Sequence, residues 1–200
     1  MQDIQSVISS VKTIHKIIEK FEIEDIYICL SSGIDSVCLF QILLDEGFHK
    51  TAIVKVLYVN HGLSEYGNNA EKFCSDLAHQ NNLPFICGRI CEKPVVGVSV
   101  EDWARNKRYE YMSKLMTTSS LTLTAHHAQD QTETIIQRIF RGSGPYGLTG
   151  MPQLRKLGDG WLYRPFLEVN KDELTSFSLI RKLKWLEDPM NQDLRFMRNK

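Results

Sequence analysis

Four apolar runs rich in β-branched residues recur along the chain, and a segment of helical character separates each from the next. They are DIYICL (25–30), AIVKVLYV (52–59), LPFICGRI (83–90) and LTLTA (121–125). Alternation of this kind predicts a parallel sheet covered by helices, because each parallel strand needs a long crossover to reach its neighbour. With a further short strand in WLYRPF (161–166), we predict an α/β domain whose parallel sheet has about five strands.

The segments between these runs carry helical patterns. We predict helices over residues 4–21, 36–47, 68–81, 99–117, 130–140 and 171–182. The fourth is the best marked, because Ser99 precedes Asp102 at capping-box spacing. After Phe140 the chain becomes rich in glycine and proline (RGSGPYGLTGMPQ), which predicts a loop, and an arginine-bearing extension follows it.

Composition excludes several protein classes. Hydrophobic residues make up 42% and charged residues 24%, and no run approaches the roughly 18 apolar residues of a membrane helix. We therefore expect a cytoplasmic protein with no membrane association. The five cysteines contain no Cys-x-x-Cys pair, which argues against disulfides and against zinc or iron–sulfur sites. Nine of the ten arginines follow residue 100, which permits a polyanionic partner without requiring one.

The first strand leads into a helix through the loop LSSGIDS (30–36). Backbone N–H groups and hydroxyls at a helix amino end favour an anion, and phosphate is the natural one. A carboxylate repels phosphate unless a cation such as Mg²⁺ stands between them, so Asp35 predicts a metal there. The alternative is an ordinary turn in which Asp35 caps the helix. The candidate phosphate-binding residues are Ser31, Ser32, Gly33, Ile34, Asp35 and Ser36.

Polar residues also follow the second and fourth strands, and ligands sit at the carboxyl ends of strands in such sheets. In YVNHGL, Asn60 and His61 are candidates for contacts with an adenine. In LTAHHAQDQTET, His126, His127 and Asp130 lie near enough to share a phosphate or a metal. Local capping explains either motif equally well.

Two arginine-bearing segments complete the candidate set. In SVEDWARNKRYEYM, Arg105 and Arg108 lie at helical spacing on one face, which a solvated helix surface would also explain. In the final segment, Arg195 and Arg198 stand beside Asn191 in DPMNQDLRFMRNK. Guanidinium groups suit phosphates, and an exposed basic tail is the alternative.

The SSGIDS loop resembles the Ser-Gly-Gly-x-Asp-Ser loop of the PP-loop ATP pyrophosphatases, which cleave ATP between the α and β phosphates. Ser32 stands where that family has its first glycine. Together and in order, the motifs SSGIDS, YVNHGL, SVEDWARNKRY, TAHHAQDQTET, RGSGPYGLTGMP, YRPFLEV and EDPMNQDLRFMRN are similar to the amino-terminal catalytic domain of the tRNA(Ile)-lysidine synthase family. The resemblance runs from about residue 25 to residue 200.

The resemblance implies a two-step reaction. The family adenylates C2 of the wobble cytidine in tRNA(Ile) with a CAU anticodon, and free lysine then displaces AMP to give lysidine. Carried over by motif, Asp35, Asp130, Arg105 and Arg195 would be catalytic, and the two aspartates would hold Mg²⁺. Residues 31–36 with Asn60 and His61 would bind ATP, and His126, His127, Arg108 and Arg198 would contact tRNA or phosphate.

The resemblance also implies an organisation for the chain. Residues 1–145 would form the PP-loop nucleotide-binding domain, and residues 146–200 an extension of the same domain that completes the active site. The carboxyl-terminal tRNA-binding domains of the family would be absent, and a homodimer stays open.

Two other functions remain to be weighed. A tRNA 2-thiocytidine-type enzyme would have this fold but depends on paired cysteines, which the sequence lacks. A nucleotide-binding module without catalysis is suggested by Ser32, by the short chain, and by Gln129, which replaces the first aspartate of the family's His-His-x-Asp-Asp motif.

Overall fold

A computed structural model describes residues 2–94, 97–142 and 149–187. Its helices are α1 (Gln2–Val11), α2 (Thr13–Phe21), α3 (Ile34–Asp45), α4 (Glu65–Gln80), α5 (Val100–Leu115), α6 (Ala128–Phe140) and α7 (Lys171–Ile180), with a short 3₁₀ turn at Phe48–Lys50. Its strands are β1 (Asp25–Cys29), β2 (Ile53–Asn60), β3 (Phe85–Arg89), β4 (Ser120–Leu123), β5 (Leu154–Leu157) and β6 (Gly160–Tyr163). No helix in these ranges is long and apolar enough to cross a membrane.

The strands form one sheet in the order β3-β2-β1-β4-β6-β5. Neighbours pair in parallel except for β5, which runs antiparallel to β6 at the edge of the sheet. The predicted α/β fold is therefore confirmed, with six strands instead of about five. The additional strand is β5, whose sequence LRKL is too short and too basic to stand out as a buried run.

Alternating side chains of the central strands bury two faces of the sheet. Ile26 and Ile28 of β1 join the larger core, which α1 to α4 and α7 cover. Tyr27, between them, points to the opposite face and packs with Met112 of α5 and Leu162 of β6 in a smaller cluster. This two-sided burial is why the parallel strands are apolar almost throughout.

The predicted helix over residues 4–21 is divided into α1 and α2 at Lys12. Ser9 and Ser10 donate their hydroxyls to backbone carbonyls of the preceding turn, including Ser10 to Val7 at 2.7 Å. Such bonds compete with the helical ladder and explain the interruption. Val7 and Ile14, on either side of the break, are both fully buried.

Residues beyond 145 contribute directly to the sheet and its cover. Strand β6 pairs with β4, and α7 packs against α1 and α3. The division at residue 145 itself remains a prediction.

Candidate active site

The candidate site is a cleft of about 400 Å³ at the carboxyl ends of β1, β2 and β4. The chain runs outward from β1 to β2 and β3, and then returns to place β4 on the other side of β1. This reversal opens a crevice between the strand ends, which is the usual ligand position in open α/β sheets. The volume of the cleft lies in the range typical of small-molecule sites.

The loop from β1 to α3 forms one wall of the cleft. The Ser36 hydroxyl donates to the Gly33 carbonyl at 2.9 Å and accepts from the Ser31 N–H at 3.1 Å. These bonds fold the loop over the first turn of α3, which begins after Gly33 in an extended conformation. The amino end of α3 and its positive partial charge therefore face the loop.

Ser32 adopts a left-handed backbone conformation with φ of +66°. Its side chain is fully buried, and its hydroxyl lies 3.1 Å from the hydroxyl of Tyr66, which lines the cleft. Its carbonyl accepts a hydrogen bond from the Leu186 N–H at 2.9 Å. The first glycine of the PP-loop motif is thus replaced by a residue that keeps a backbone conformation favouring glycine.

Asp35 makes an ion pair that the sequence did not predict. The Lys171 ammonium lies 2.9 Å from Oδ1 and 2.7 Å from Oδ2 of Asp35. Lys171 is the first residue of α7, and its backbone N–H donates to the side-chain oxygen of Gln129 at 3.0 Å. Because 136 residues separate the pair, no local pattern could have revealed it.

His127 lies between the two carboxylates predicted to hold a metal. Its Nε2 atom is 3.7 Å from Oδ2 of Asp35 and 3.5 Å from Oδ2 of Asp130. The Asp130 carboxylate also accepts from the His127 backbone N–H at 3.0 Å, which fixes it over the first turn of α6. The His127 ring is 5% exposed, so this arrangement is held by packing.

These residues fit a Mg²⁺ ion bound together with phosphates. In the described ranges, no cluster of three or more His, Cys, Asp or Glu side chains could hold a metal by itself. Mg²⁺ usually takes one or two carboxylates and completes its shell with water and substrate phosphates. Asp35 and Asp130 supply that number of carboxylates, and both line the cleft.

His126 faces the cleft as a neutral side chain. Burial, with the nearby Arg164 guanidinium as a secondary cause, lowers its pKa from 6.5 to about 3. Its Nδ1 atom lies 3.0 Å from the Thr124 hydroxyl. Arg164 is itself buried and donates to the Pro152 carbonyl and the Tyr109 hydroxyl, so its charge faces neutral partners. A buried cation with no carboxylate partner among the described residues makes this side of the cleft attractive to anions.

The end of β2 forms the opposite wall. Burial lowers the pKa of His61 to about 4, with Arg108 as a secondary cause, and the imidazole lies edge-on to Trp103. The Asn60 amide donates to Glu71 at 2.8 Å and accepts from the Gly62 N–H at 2.9 Å. Asn60 therefore holds the turn that carries His61.

The structure brings most predicted site residues together. Those lining the cleft are Ser31, Asp35, Ser36, Asn60, His61, Arg108, His126 and Asp130. The other described candidates do not line the cleft: Ser32, Gly33, Ile34, Arg105 and His127. Arg195 and Arg198 lie outside the described residues. Sequence reasoning missed Tyr66 and Tyr109 on the wall and Lys171 behind Asp35, because none belongs to a polar motif after a strand.

The arrangement is suited to a nucleotide. The amino ends of α3 and α6 meet at the cleft, and α7 begins beside them, since the Ala128 N–H donates to the Val169 carbonyl at 3.0 Å. Helix amino ends stabilise phosphates, and two carboxylates can hold the accompanying cation.

Comparison with known proteins shows what the chain is similar to. The model of the PP-loop domain family matches residues 7–200. The chain is 36% identical over 172 residues to the tRNA(Ile)-lysidine synthase of Coxiella burnetii, covering 86% of the chain and 38% of that protein. It is 36% identical over 173 residues to the tRNA(Ile)-lysidine synthase of Pseudomonas fluorescens, covering 86% of the chain and 39% of that protein. The chain thus spans about two fifths of the length of these relatives.

Among solved structures, the U34-tRNA thiolase NcsA from Methanococcus maripaludis, with its [4Fe-4S] cluster, superposes with a TM-score of 0.74. The match covers 92% of this chain and 66% of that one at 14% identity. At this identity the likeness concerns the fold alone.

Proposed function

This chain belongs to the PP-loop domain family, and on that premise we propose that it binds ATP with Mg²⁺ and forms lysidine on tRNA(Ile) with a CAU anticodon. The proposed products are lysidine, AMP and pyrophosphate. The observation that carries the proposal is the pair of carboxylates at the cleft, Asp35 at the start of α3 and Asp130 at the start of α6, with His127 between them. The identity to lysidine synthases over 86% of the chain supports the choice of substrate.

Activation of the cytidine is the first step of the proposed reaction. The cytidine O2 atom attacks the α phosphate of ATP, and pyrophosphate leaves. The loop at Ser31–Ser36 and the amino end of α3 would bind the departing phosphates, and Asp35 and Asp130 would hold Mg²⁺, which offsets their negative charge. Arg108 and the buried Arg164 add a positive field on the far side of the cleft.

Aminolysis is the second step. The side-chain amine of free lysine attacks C2 of the adenylated base, and AMP leaves with the former oxygen of the base. The amine must lose a proton before it attacks. Since burial keeps His126 neutral, its imidazole contributes no charge that would repel a lysine ammonium entering the cleft.

We keep a second candidate, a nucleotide-binding module without catalysis. The observation that favours it is the Lys171 ammonium on both oxygens of Asp35, which occupies the position expected for a metal. Gln129, in place of the family's aspartate, bonds to Lys171 instead of offering a carboxylate.

ATP labelled on its α phosphate distinguishes these two functions. The protein is mixed with Mg²⁺ and tRNA(Ile) bearing CAU, first without lysine and then with it. We expect label on the tRNA in the first reaction and its release as AMP in the second. Binding of ATP with no transfer of label would instead support the module.

Asp35→Ala is the matched variant for this assay. It should abolish transfer while leaving the fold intact, because Asp35 would be a metal ligand. Asp76→Ala, which removes an exposed carboxylate of α4, should transfer label like the unmodified protein. Undiminished AMP formation by Asp35→Ala would overturn the assignment of Asp35.

A further inference from the structure

Lys171 is placed against the preference of its own helix. It is the first residue of α7, where the positive end of the helix dipole disfavours a cation and favours the acidic residues Asp172 and Glu173 that follow. Its ammonium is compensated by Asp35, which it contacts through both oxygens. The position is therefore stable because of the carboxylate in the candidate site.

The Asp35–Lys171 pair is also fixed more firmly than a surface ion pair. The two side chains are 25% and 39% exposed, so water screens their attraction only in part. The Lys171 backbone is bonded to Gln129 of α6, and α6 is bonded in turn to Val169 just before α7. These hydrogen bonds fix the backbone from which the Lys171 side chain extends.

We infer that Lys171 is a positioning residue that acts as the counter-ion of Asp35 before nucleotide binds. The inference rests on the proposed binding of ATP with a divalent cation. In the nucleotide-free protein, the ammonium occupies the lone pairs that a metal would need, so a free divalent cation binds weakly. Asp35 would then hold the metal that accompanies the nucleotide, and the Lys171 ammonium would be free to pair with the phosphates.

Charge in the site explains why such a counter-ion is useful. Without Lys171, Asp35 and Asp130 would present two negative charges to an incoming polyanion. With Lys171 paired to Asp35, that repulsion is reduced before any metal is present. The same residue should therefore weaken the binding of a free metal and strengthen the binding of metal-free ATP.

Binding of Mn²⁺, measured from the loss of the free-ion electron paramagnetic resonance signal, tests the inference in the absence of nucleotide. Lys171→Met should bind Mn²⁺ at least about tenfold more tightly than the unmodified protein, because one opposing charge within about 4 Å has been removed. Lys16→Met, which changes an exposed lysine of α2, should bind Mn²⁺ like the unmodified protein. The double variant Asp35→Asn/Lys171→Met should lose this increase in Mn²⁺ affinity.

Two further arms complete the experiment. Lys171→Gln should also bind Mn²⁺ more tightly than the unmodified protein. It replaces Lys171→Met in the measurement if circular dichroism shows that the methionine variant does not fold. Metal-free ATP, followed by equilibrium dialysis in EDTA, should bind Lys171→Met more weakly. A Mn²⁺ affinity of both variants within twofold of the unmodified protein would overturn the inference.

The measurement contains neither tRNA nor lysine. If the Mn²⁺ affinities change as expected but no label is transferred to tRNA, the role of Lys171 is supported and the lysidine-forming function is refuted. If label is transferred but the Lys171 variants bind Mn²⁺ like the unmodified protein, the lysidine-forming function is supported and the role of Lys171 is refuted.

Discussion

Replacing Ser32 tests whether its left-handed backbone carries a cost. A φ of +66° costs an L-residue about 1 to 2 kcal/mol, which glycine avoids. Glycine gives back about 0.5 to 1 kcal/mol of this through its greater freedom in the unfolded chain. Both Ser32→Gly and Ser32→Ala lose the partly buried hydrogen bond to Tyr66, which contributes about 1 kcal/mol. Ser32→Ala should therefore be about 1 kcal/mol less stable than the unmodified protein.

Ser32→Gly should be more stable than Ser32→Ala by about 0.5 to 1 kcal/mol, close to the unmodified protein. Urea unfolding followed by circular dichroism measures this difference from the transition midpoints, with a shared slope for the three proteins. ATP should bind Ser32→Gly equally or more tightly, since the loop keeps its conformation and the smaller residue permits closer approach. A glycine variant no more stable than the alanine variant would refute the reasoning, because relief of the left-handed conformation is the sole advantage assigned to it.

Two further predictions concern stability. His126 has a lowered pKa, about 3, whereas the unfolded chain binds its proton near 6.5, so stability is lost as the pH falls below that value. Between pH 7 and pH 5 this loss should be about 2 kcal/mol, and His126→Gln should show correspondingly less pH dependence of its urea midpoint. An unchanged dependence would contradict the assigned pKa. Gly158→Ala should cost at least about 2 kcal/mol, since its φ is +56° and a Cβ would lie 2.4 Å from the Ser113 backbone oxygen. Gly97→Ala, at φ of +90°, is the control without the clash, because no described residue other than its chain neighbours has an atom within 4 Å of the added Cβ. Equal losses in thermal midpoint would show that the clash adds nothing.

The central strands could be predicted because both of their faces are buried. In β1, Ile26 and Ile28 serve one core and Tyr27 the other, so the run is apolar at successive positions. Strand β5 lacks this signal because it lies at the edge of the sheet. Its Arg155 and Lys156 pack their cations over the rings of Tyr109 and Trp161, respectively. Basic side chains are suited to an edge strand, but because of them the hydropathy pattern of this segment does not indicate a strand.

The site could be predicted in part for a similar reason. Asp35, His61 and Asp130 follow three different strands, and the rule that ligands collect at the carboxyl ends of parallel strands brings them together without any knowledge of distances. Arg164 obeys the same rule, because it directly follows the parallel strand β6, although the sequence analysis did not select it. Lys171 obeys no such rule. It begins α7 and reaches Asp35 only through tertiary packing, and in the sequence it looks like an ordinary basic residue.

The amino ends of α3 and α6 meet at the cleft, and this arrangement explains why both Lys171 and Arg164 are needed there. An anion would be stabilised by α3 and α6 alone, but Asp35 in the first turn of one and Asp130 in the first turn of the other already use part of that positive field. A site with two such carboxylates would repel a polyanion unless positive charge is supplied elsewhere. Lys171 supplies it on one side and the buried Arg164 on the other, and neither can be exchanged for a neutral residue without changing what the cleft attracts. Under the proposed function, the carboxylates would hold the metal, and the two cations would allow the nucleotide to reach it.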